Sequence, residues 1–228
     1  MYLKDKLLDL VFPQYCLGCG EEGKLLCRKC NDKLIVRPEK ICPICKSADE
    51  QSNCPGSPLD SLWALSHYHD YLVAGLVQKL KYEFHADSVG DYWNIYLRKF
   101  WLRASAEMNN SCLLIPVPLH RKRYLERGFN QSELIARELA GISGLPVSSD
   151  LLKRKIYNKP QVGLNGATRL DNIKGIFKVD HRFLSRFWNK HLILIDDVYT
   201  TGSTMSECAK TLKSAGFKKV SGLVLAVD

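Results

Sequence analysis

Apolar and polar positions divide the chain into stretches of three kinds. Leu3, Leu7, Leu10 and Val11 share one helical face and Pro13 ends the pattern, which predicts a short docking helix over residues 3–11. Residues 16–57 have little apolar periodicity and are punctuated by Gly18, Gly20, Gly23, Pro43, Pro55 and Gly56. A stretch like that cannot make its own core and needs a staple. From Leu59 the pattern becomes ordinary. Residues 61–68 read as a strand. Residues 72–82 read as a helix through Leu72, Leu76, Val77 and Leu80, and residues 89–106 as an aromatic-rich helix broken at Asn109-Asn110-Ser111.

The second half alternates short apolar runs with helical patterns. Residues 112–117 form a continuous apolar run, as a buried parallel strand does. A basic loop over 120–127 follows, then a helix over 130–140 with Leu134, Ile135 and Leu139 near one face. Residues 153–175 are polar, basic and without periodicity, a length of loop that in a compact domain is usually functional. Residues 176–179 read as a strand, and Leu192-Ile193-Leu194-Ile195 as the clearest buried strand of all. A loop over 196–203 leads into a helix over 204–215 ended by Gly216, and a last strand covers 220–227. Alternation of this kind predicts an α/β fold, with a mostly parallel sheet covered by helices on both faces. The expected division is an N-terminal helix and cysteine-rich module over 1–58 and an α/β domain over 59–228.

Composition narrows the class. The chain has 228 residues, 46% hydrophobic and 25% charged, which excludes a disordered or fibrous protein. No apolar run approaches the roughly 18 residues of a membrane helix. The start, Met1 to Lys6, is too charged to open a secretory signal, so a cytoplasmic protein is expected. The net charge of +9 is uneven: residues 112–175 carry 11 Lys and Arg against 5 Asp and Glu. That excess suggests an anionic partner, either a phosphorylated small molecule or nucleic acid.

Seven of the nine cysteines lie between Cys16 and Cys54. Cys16-x₂-Cys19 and Cys27-x₂-Cys30 supply the four thiolates of a tetrahedral structural zinc site, which leaves no open position for catalysis. Cys42-x₂-Cys45 and Cys54 form a second set with no fourth thiol, because Ser57 stands where one is wanted. His67 or His69 are candidate substitutes, a crossed pairing of the first and third pairs is an alternative, and disulfides or plain buried thiols remain open. Cys112 and Cys208 read as core residues.

The strongest chemical signal is Ile195-Asp196-Asp197-Val198-Tyr199-Thr200-Thr201-Gly202-Ser203-Thr204. An apolar strand ends in two carboxylates and a small-residue loop leads to a helix. In open α/β sheets ligands bind at the carboxyl ends of the strands. A helix N-terminus offers unpaired N–H groups to a phosphate. Thr200, Thr201, Ser203 and Thr204 add hydroxyls, and Gly202 lets the backbone approach closely. The acidic pair suits ribose hydroxyls or hydrated Mg²⁺. An N-cap explains the hydroxyls but not two adjacent acids at the end of a buried strand, a costly place for them. No Walker loop and no G-x-G-x-x-G run occurs.

The run from Leu192 to Thr204 resembles the phosphoribosyl pyrophosphate motif of type I phosphoribosyltransferases. The segment from Val117 to Arg123, with Arg127-Gly128-Phe129-Asn130-Gln131, is similar to the ComF family, whose members include competence proteins for DNA uptake. Leu80-Lys81-Tyr82, Pro160-Gln161 with Arg169 and Asn172, and the early cysteine pairs fit the same family. The resemblance implies a type I phosphoribosyltransferase fold behind a zinc ribbon. It implies that Asp196 and Asp197 bind the ribose hydroxyls and that Thr200 to Thr204 cradle the 5-phosphate. Pro118, Leu119, His120 and Arg121 become a pyrophosphate loop, and Gln161 and Arg169 part of a mobile loop, with Lys81 as a further contact. Zn²⁺ and Mg²⁺ are the implied metals, and phosphoribosyl pyrophosphate the implied ligand. No residue stands out as a general base, and the acceptor is unidentified. The competing expectation is a module without turnover that senses this ligand or binds single-stranded DNA or DNA-uptake proteins.

Overall fold

The structure, a computed structural model, describes residues 13–49, 54–82, 86–155 and 174–228, and within 81–92 the backbone alone. The expected helix over 3–11, Gln161, Arg169 and the side chain of Lys81 lie outside the described residues.

The cysteine-rich stretch contains one helical turn, α1 (Arg28–Asn31), and a short strand, β1 (Glu39–Ile41). Next come β2 (Leu62–His67), α2 (Tyr71–Tyr82) and α3 (Ala86–Ala104). β3 (Cys112–Pro116) is followed by α4 (Arg121–Arg127) and α5 (Gln131–Ser143). A two-stranded antiparallel hairpin pairs β4 (Leu152–Arg154) with β5 (Phe177–Val179). A 3₁₀ turn (His181–Phe183) and α6 (Leu184–Phe187) lead to β6 (His191–Tyr199), α7 (Ser203–Ser214) and β7 (Val220–Val227).

The main sheet has the order β1-β2-β7-β6-β3. β2, β7, β6 and β3 run parallel, and β1 joins the edge antiparallel, with Glu39 opposite Ala64 and Ile41 opposite Leu62. The expected mixed α/β fold with a mostly parallel sheet is therefore what the chain forms. Both faces are covered. One face holds α2, α3 and α5 through Leu72, Leu76, Trp93, Phe100, Ile135 and Leu139. The other holds α7 and the β4–β5 hairpin through Met205, Cys208, Leu212, Leu151, Leu152 and Phe177. Leu25, Leu26, Cys30 and Leu34 of the cysteine-rich stretch pack into the first of these clusters. Removing such side chains from water contributes roughly 1.5–3 kcal/mol each, so this stretch borrows its core from the α/β part. No helix among the described residues is long and apolar enough to cross a membrane.

Besides shifts of a few residues at helix ends, four differences from the sequence reading bear on the site. The expected basic loop over 120–127 is the helix α4, none of whose residues is buried. Its lack of an apolar face hid it. Asp196 and Asp197 belong to β6, which runs on to Tyr199, paired with Val227 of β7. The α7 helix starts at Ser203, one residue early. The long polar segment opens with β4, too short at three residues to show a period of two.

Candidate functional site

The parallel strands β2, β7, β6 and β3 share one carboxyl edge, where Asp196 and Asp197, the turn at 200–202 and the segment after β3 lie. β6 lies between β7 and β3. Its ladder to β3 continues one step beyond the strand, where the Val117 N–H donates to the Ile195 carbonyl at 2.9 Å. Pro118, Leu119 and His120 therefore leave the sheet beside the end of β6. His120 caps α4, its Nδ1 accepting from the Lys122 N–H at 3.1 Å, and Arg121 is exposed at the first position of that helix.

Asn130 joins this loop to the next helix. Its Nδ2 donates to the Val117 carbonyl at 3.1 Å, and its Oδ1 caps α5 by accepting from the Ser132 N–H at 3.2 Å. Both bonds are buried. Asn130→Ala should therefore cost about 2 kcal/mol of stability, the loss of an N-cap and of a buried backbone partner. Urea unfolding measures it, and a cost below a few tenths would contradict this role.

The first turn of α5 also reaches the acidic pair. Ser132 Oγ donates to Asp196 Oδ1 at 2.9 Å, and the same oxygen accepts from the Asp197 N–H at 2.9 Å. Asp197 Oδ1 accepts from the Val198 N–H at 2.7 Å. Both carboxylates are half-buried, which the bonds to N–H and O–H donors make tolerable. Ser132 escaped sequence reasoning. Its signal was a small hydroxyl residue at the second position of a helix, too common to single out.

After Tyr199 the chain turns at Thr200 and Thr201, both exposed, and enters α7 at Gly202. Gly202 has φ +73°, a left-handed conformation natural to glycine. The Thr201 and Ser203 hydroxyls are bonded to each other, and the Ser206 N–H donates to the Gly202 carbonyl at 2.8 Å. Gly202, at the N-cap of α7, has no side chain to cap it, and the Ser203 N–H makes a long bond of 3.5 Å to Thr201 Oγ1, so the start of α7 lies beside the Thr200 and Thr201 hydroxyls. Thr204 lies within the first turn.

Two further residues, Tyr199 and Arg154, were not foreseen. Tyr199 is 3% exposed, and its Oη donates to the Pro43 carbonyl at 2.7 Å. Burial pushes its phenol up, so it stays a neutral donor. Arg154, at the end of β4, has its cation disfavoured by burial and by Arg123, with Asp196 acting the other way. Arg154 therefore lies in the electrostatic field of both α4 and the acidic pair. A tightly coiled sequence separation conceals such neighbours from any local pattern.

The cysteines fall into two clusters. The sulfurs of Cys16, Cys19, Cys27 and Cys30 all lie within 4.8 Å of one another, with 3.6 Å between Cys19 and Cys27. That is the spacing of four thiolates around one tetrahedral ion, and every cysteine is a free thiol. The crossed pairing is thus excluded for this cluster. Tight turns build it: the Cys16 N–H donates to the Glu21 carbonyl at 2.9 Å and the Leu17 N–H to the Leu25 carbonyl at 2.9 Å. A Cβ added at Gly18 would lie 2.6 Å from Cys30 Sγ, so the close approach of that sulfur requires glycine.

The thiols influence one another strongly. Burial opposes ionisation of Cys16, but the N–H groups of Cys27, Cys19 and Gly18 override it and hold that thiol at about 6. Burial and the neighbouring thiols push Cys30 up to about 12. One negative charge is welcome there and further ones are not, unless a cation neutralises them. A thiophilic divalent ion such as zinc fits this donor set.

Cys42, Cys45 and Cys54 form the second cluster, again with sulfurs within 4.8 Å. Burial opposes ionisation of Cys42, but the N–H groups of Cys45, Ile44 and Cys54 hold it at about 6. The side chains of Cys45 and Cys42 push Cys54 up. Ser57 is not a ligand in waiting, since its Oγ accepts from the Leu59 N–H at 3.1 Å. Neither His67 nor His69 joins the cluster; His69 lies 3.9 Å from the Asp228 carboxylate instead. A cleft of about 950 Å³ opens beside Cys42 and Cys54, lined also by Asp49, Asp60, Trp63 and Arg103.

Comparison with known proteins adds two findings. Residues 7–57 match the double zinc ribbon domain, a span that contains all seven clustered cysteines. Over most of its length the chain also aligns with named bacterial proteins. It is 26% identical to competence protein F of Haemophilus influenzae, across 92% of this chain and 82% of that protein. It is 28% identical to the DNA utilization protein YhgH of Salmonella typhimurium, across 84% of this chain and 92% of that protein. It is 27% identical to competence protein ComFC of Streptococcus pneumoniae, across 90% and 96%. The chain is thus similar over most of its length to proteins named competence protein F, ComFC and YhgH, and its paired cysteine clusters lie in the span that matches the double zinc ribbon domain.

Proposed function

We propose that this chain has a type I phosphoribosyltransferase fold over residues 59–228, behind a zinc-binding module over 1–58, and binds phosphoribosyl pyrophosphate with Mg²⁺. One observation carries the reading. At the carboxyl edge of an inner parallel strand, two half-buried carboxylates are followed by a hydroxyl-rich turn and a helix N-terminus whose N-cap, Gly202, has no side chain. Asp196 and Asp197 hold the ribose hydroxyls, and Thr200, Thr201, Gly202, Ser203 and Thr204 hold the 5-phosphate. The loop of Pro118, Leu119, His120 and Arg121, issuing from the neighbouring strand β3, takes the pyrophosphate. Gln161 and Arg169, outside the described residues, are the remaining proposed ligand contacts.

Oxygen donors of this kind suit a hard cation, so the acidic pair and the ligand together fit Mg²⁺. The ion, when bound, offsets charge on the pyrophosphate. The reaction open to this ligand is displacement of pyrophosphate from C1 by an amine or a base. The C1–O bond breaks as the C1–N bond forms, and fixed donors around the leaving group stabilise the developing charge. A cytoplasmic setting fits thiols reserved for zinc.

Calorimetric titration of phosphoribosyl pyrophosphate, with and without Mg²⁺, tests the reading. Binding should need Mg²⁺, and Asp196→Asn with Asp197→Asn should weaken it at least about 100-fold, two charge-assisted contacts at roughly 1.5–3 kcal/mol each. Undiminished binding in the double variant would remove the ligand assignment.

A second reading is a module without turnover that binds single-stranded DNA. It rests on α4, where Arg121, Lys122, Arg123 and Arg127 share a short helix with no buried residue and an exposed Tyr124. Cations flanking an aromatic ring suit a stacked, charged strand. Salt-sensitive DNA binding that survives the Asp196 and Asp197 substitutions, with no pyrophosphate release from any acceptor, would favour it. The names of the relatives, competence and DNA utilization proteins, are compatible with either reading.

A further inference from the structure

The second cysteine cluster and the 200–204 loop are far apart in sequence and joined in space. Tyr199, the last residue of β6, donates its phenol to the carbonyl of Pro43 at 2.7 Å, across 156 residues. Pro43 lies inside the Cys42-x₂-Cys45 turn. That turn is closed by the Lys46 N–H on the Cys42 carbonyl at 2.9 Å and the Cys42 N–H on the Ser47 carbonyl at 2.8 Å. A second tie runs alongside: Lys46 Nζ donates to the backbone carbonyl of Asp228, whose own N–H donates to the Tyr199 carbonyl at 3.0 Å.

The loop is shaped around the same phenol. A Cβ added at Gly202 would fall 2.1 Å from Tyr199 Oη and 2.3 Å from its Cζ. Gly202 therefore packs directly against the ring at the start of α7. Little apolar contact holds the cysteine turn on its own, since Ile44 is 47% exposed and Cys45 is exposed. An ion bound by Cys42, Cys45 and Cys54 is the feature best able to hold the Pro43 carbonyl still.

We propose that Tyr199 is a positioning residue that couples metal binding at Cys42, Cys45 and Cys54 to the conformation of the 200–204 loop. Metal at the cysteine turn orders the loop, and a ligand in the loop holds the metal more tightly, because coupling between two sites is reciprocal. Only the ligand half of this statement rests on the proposed function.

Two measurements on the full chain test it. The first is hydrogen exchange at the amides of residues 203–208. Tyr199→Phe keeps the ring and removes the bond to Pro43 together with the phenol's contact with Ser206, so the comparison with Cys54→Ser and the double variant carries the decision. Tyr199→Phe should speed exchange roughly three- to tenfold, the worth of one buried hydrogen bond. Cys54→Ser should do the same, and the double variant should add nothing further. Unchanged exchange in Tyr199→Phe, or additive effects in the double variant, would overturn the coupling. The second is zinc release to a chromogenic chelator, in which the second cluster is the phase missing from Cys54→Ser. Phosphoribosyl pyrophosphate with Mg²⁺ should slow that phase in the native chain and leave it unchanged in Tyr199→Phe. An equal slowing in both proteins would also overturn the coupling. If that ligand does not bind at all, the proposed function fails while the exchange result still decides the coupling.

Discussion

Cys27→Ser should strip the first metal from the chain and lower its thermal midpoint by on the order of 10 °C, the largest effect expected of any single substitution. Structural zinc held by four thiolates has an apparent binding free energy of roughly 10–16 kcal/mol at neutral pH, as much as the whole net stability of a typical domain. In this chain that energy is not confined to a detachable ribbon. Cys16, Leu25, Leu26, Cys30 and Leu34 are buried in the same cluster as Leu72, Trp93 and Phe100. β1, which leads into the second cysteine turn, pairs with β2 along the sheet edge. Loss of the metal therefore uncovers one face of the α/β part as well. A strong chelator should reproduce the effect. So should acid, because zinc binds thiolates: protonating them as pH falls weakens binding, and the metal is held best at neutral pH and above. Zinc content by atomic absorption, followed with the thermal midpoint across pH, measures both. If chelation leaves the midpoint unmoved, the clusters are packed thiols and not metal sites.

Gly202→Ala is the second large effect, about 3–5 kcal/mol. Three costs combine. An L-residue at φ +73° costs roughly 1–2 kcal/mol. The new methyl group collides with the Tyr199 ring, with 2.1 Å to Oη and 2.9 Å to Cε1, so the ring must leave a site where it is 3% exposed. The Pro43 carbonyl then loses its 2.7 Å partner, worth roughly 1–3 kcal/mol if it stays buried. The control is the same substitution in a Tyr199→Leu background. There the collision is gone, and Ala should cost only about 1–2 kcal/mol, the backbone conformation alone. Equal costs in the two backgrounds, by urea unfolding, would mean that the close approach does not matter.

This pair of residues also shows where local pattern stops being informative. The sequence offers a good reason for glycine in the 200–204 loop, a close approach of backbone to ligand. The structure adds an older constraint, the phenol beneath it. Tyr199 looked like part of a loop, since two acids and two threonines surround it. Pairing with Val227 of β7 instead extends the strand through Asp196, Asp197 and Val198 to Tyr199. Ladder bonds to a neighbouring strand decide that boundary, and the neighbour is the last element of the chain. Helix α4 was read as a loop for a related reason. It has no buried residue and hence no apolar stripe, but His120 caps one end and Gly128, at φ +81°, the other.

Local pattern carried the α/β alternation and the chemistry of the candidate edge, though not the strand order or helix α4. Apolar runs at 112–117, 192–195 and 220–227 required buried parallel strands, because continuous hydrophobic stretches of that length need covering on both faces. The cysteine spacings offered four thiolates at 16–30 for a tetrahedral site but left a crossed pairing open, and the structure gathers Cys16, Cys19, Cys27 and Cys30 into one cluster. The acidic pair before a hydroxyl-rich helix start marked the candidate ligand edge. Only the tertiary structure decided how these parts meet: Ser132 on Asp196, Asn130 between two loops, Arg154 in the field of Arg123 and Asp196, and Tyr199 on Pro43. The physical reason is range. Periodicity and turn chemistry act over a few residues, whereas a hydrogen bond or a steric contact joins residues such as Tyr199 and Pro43, 156 positions apart, once the sheet has brought them together.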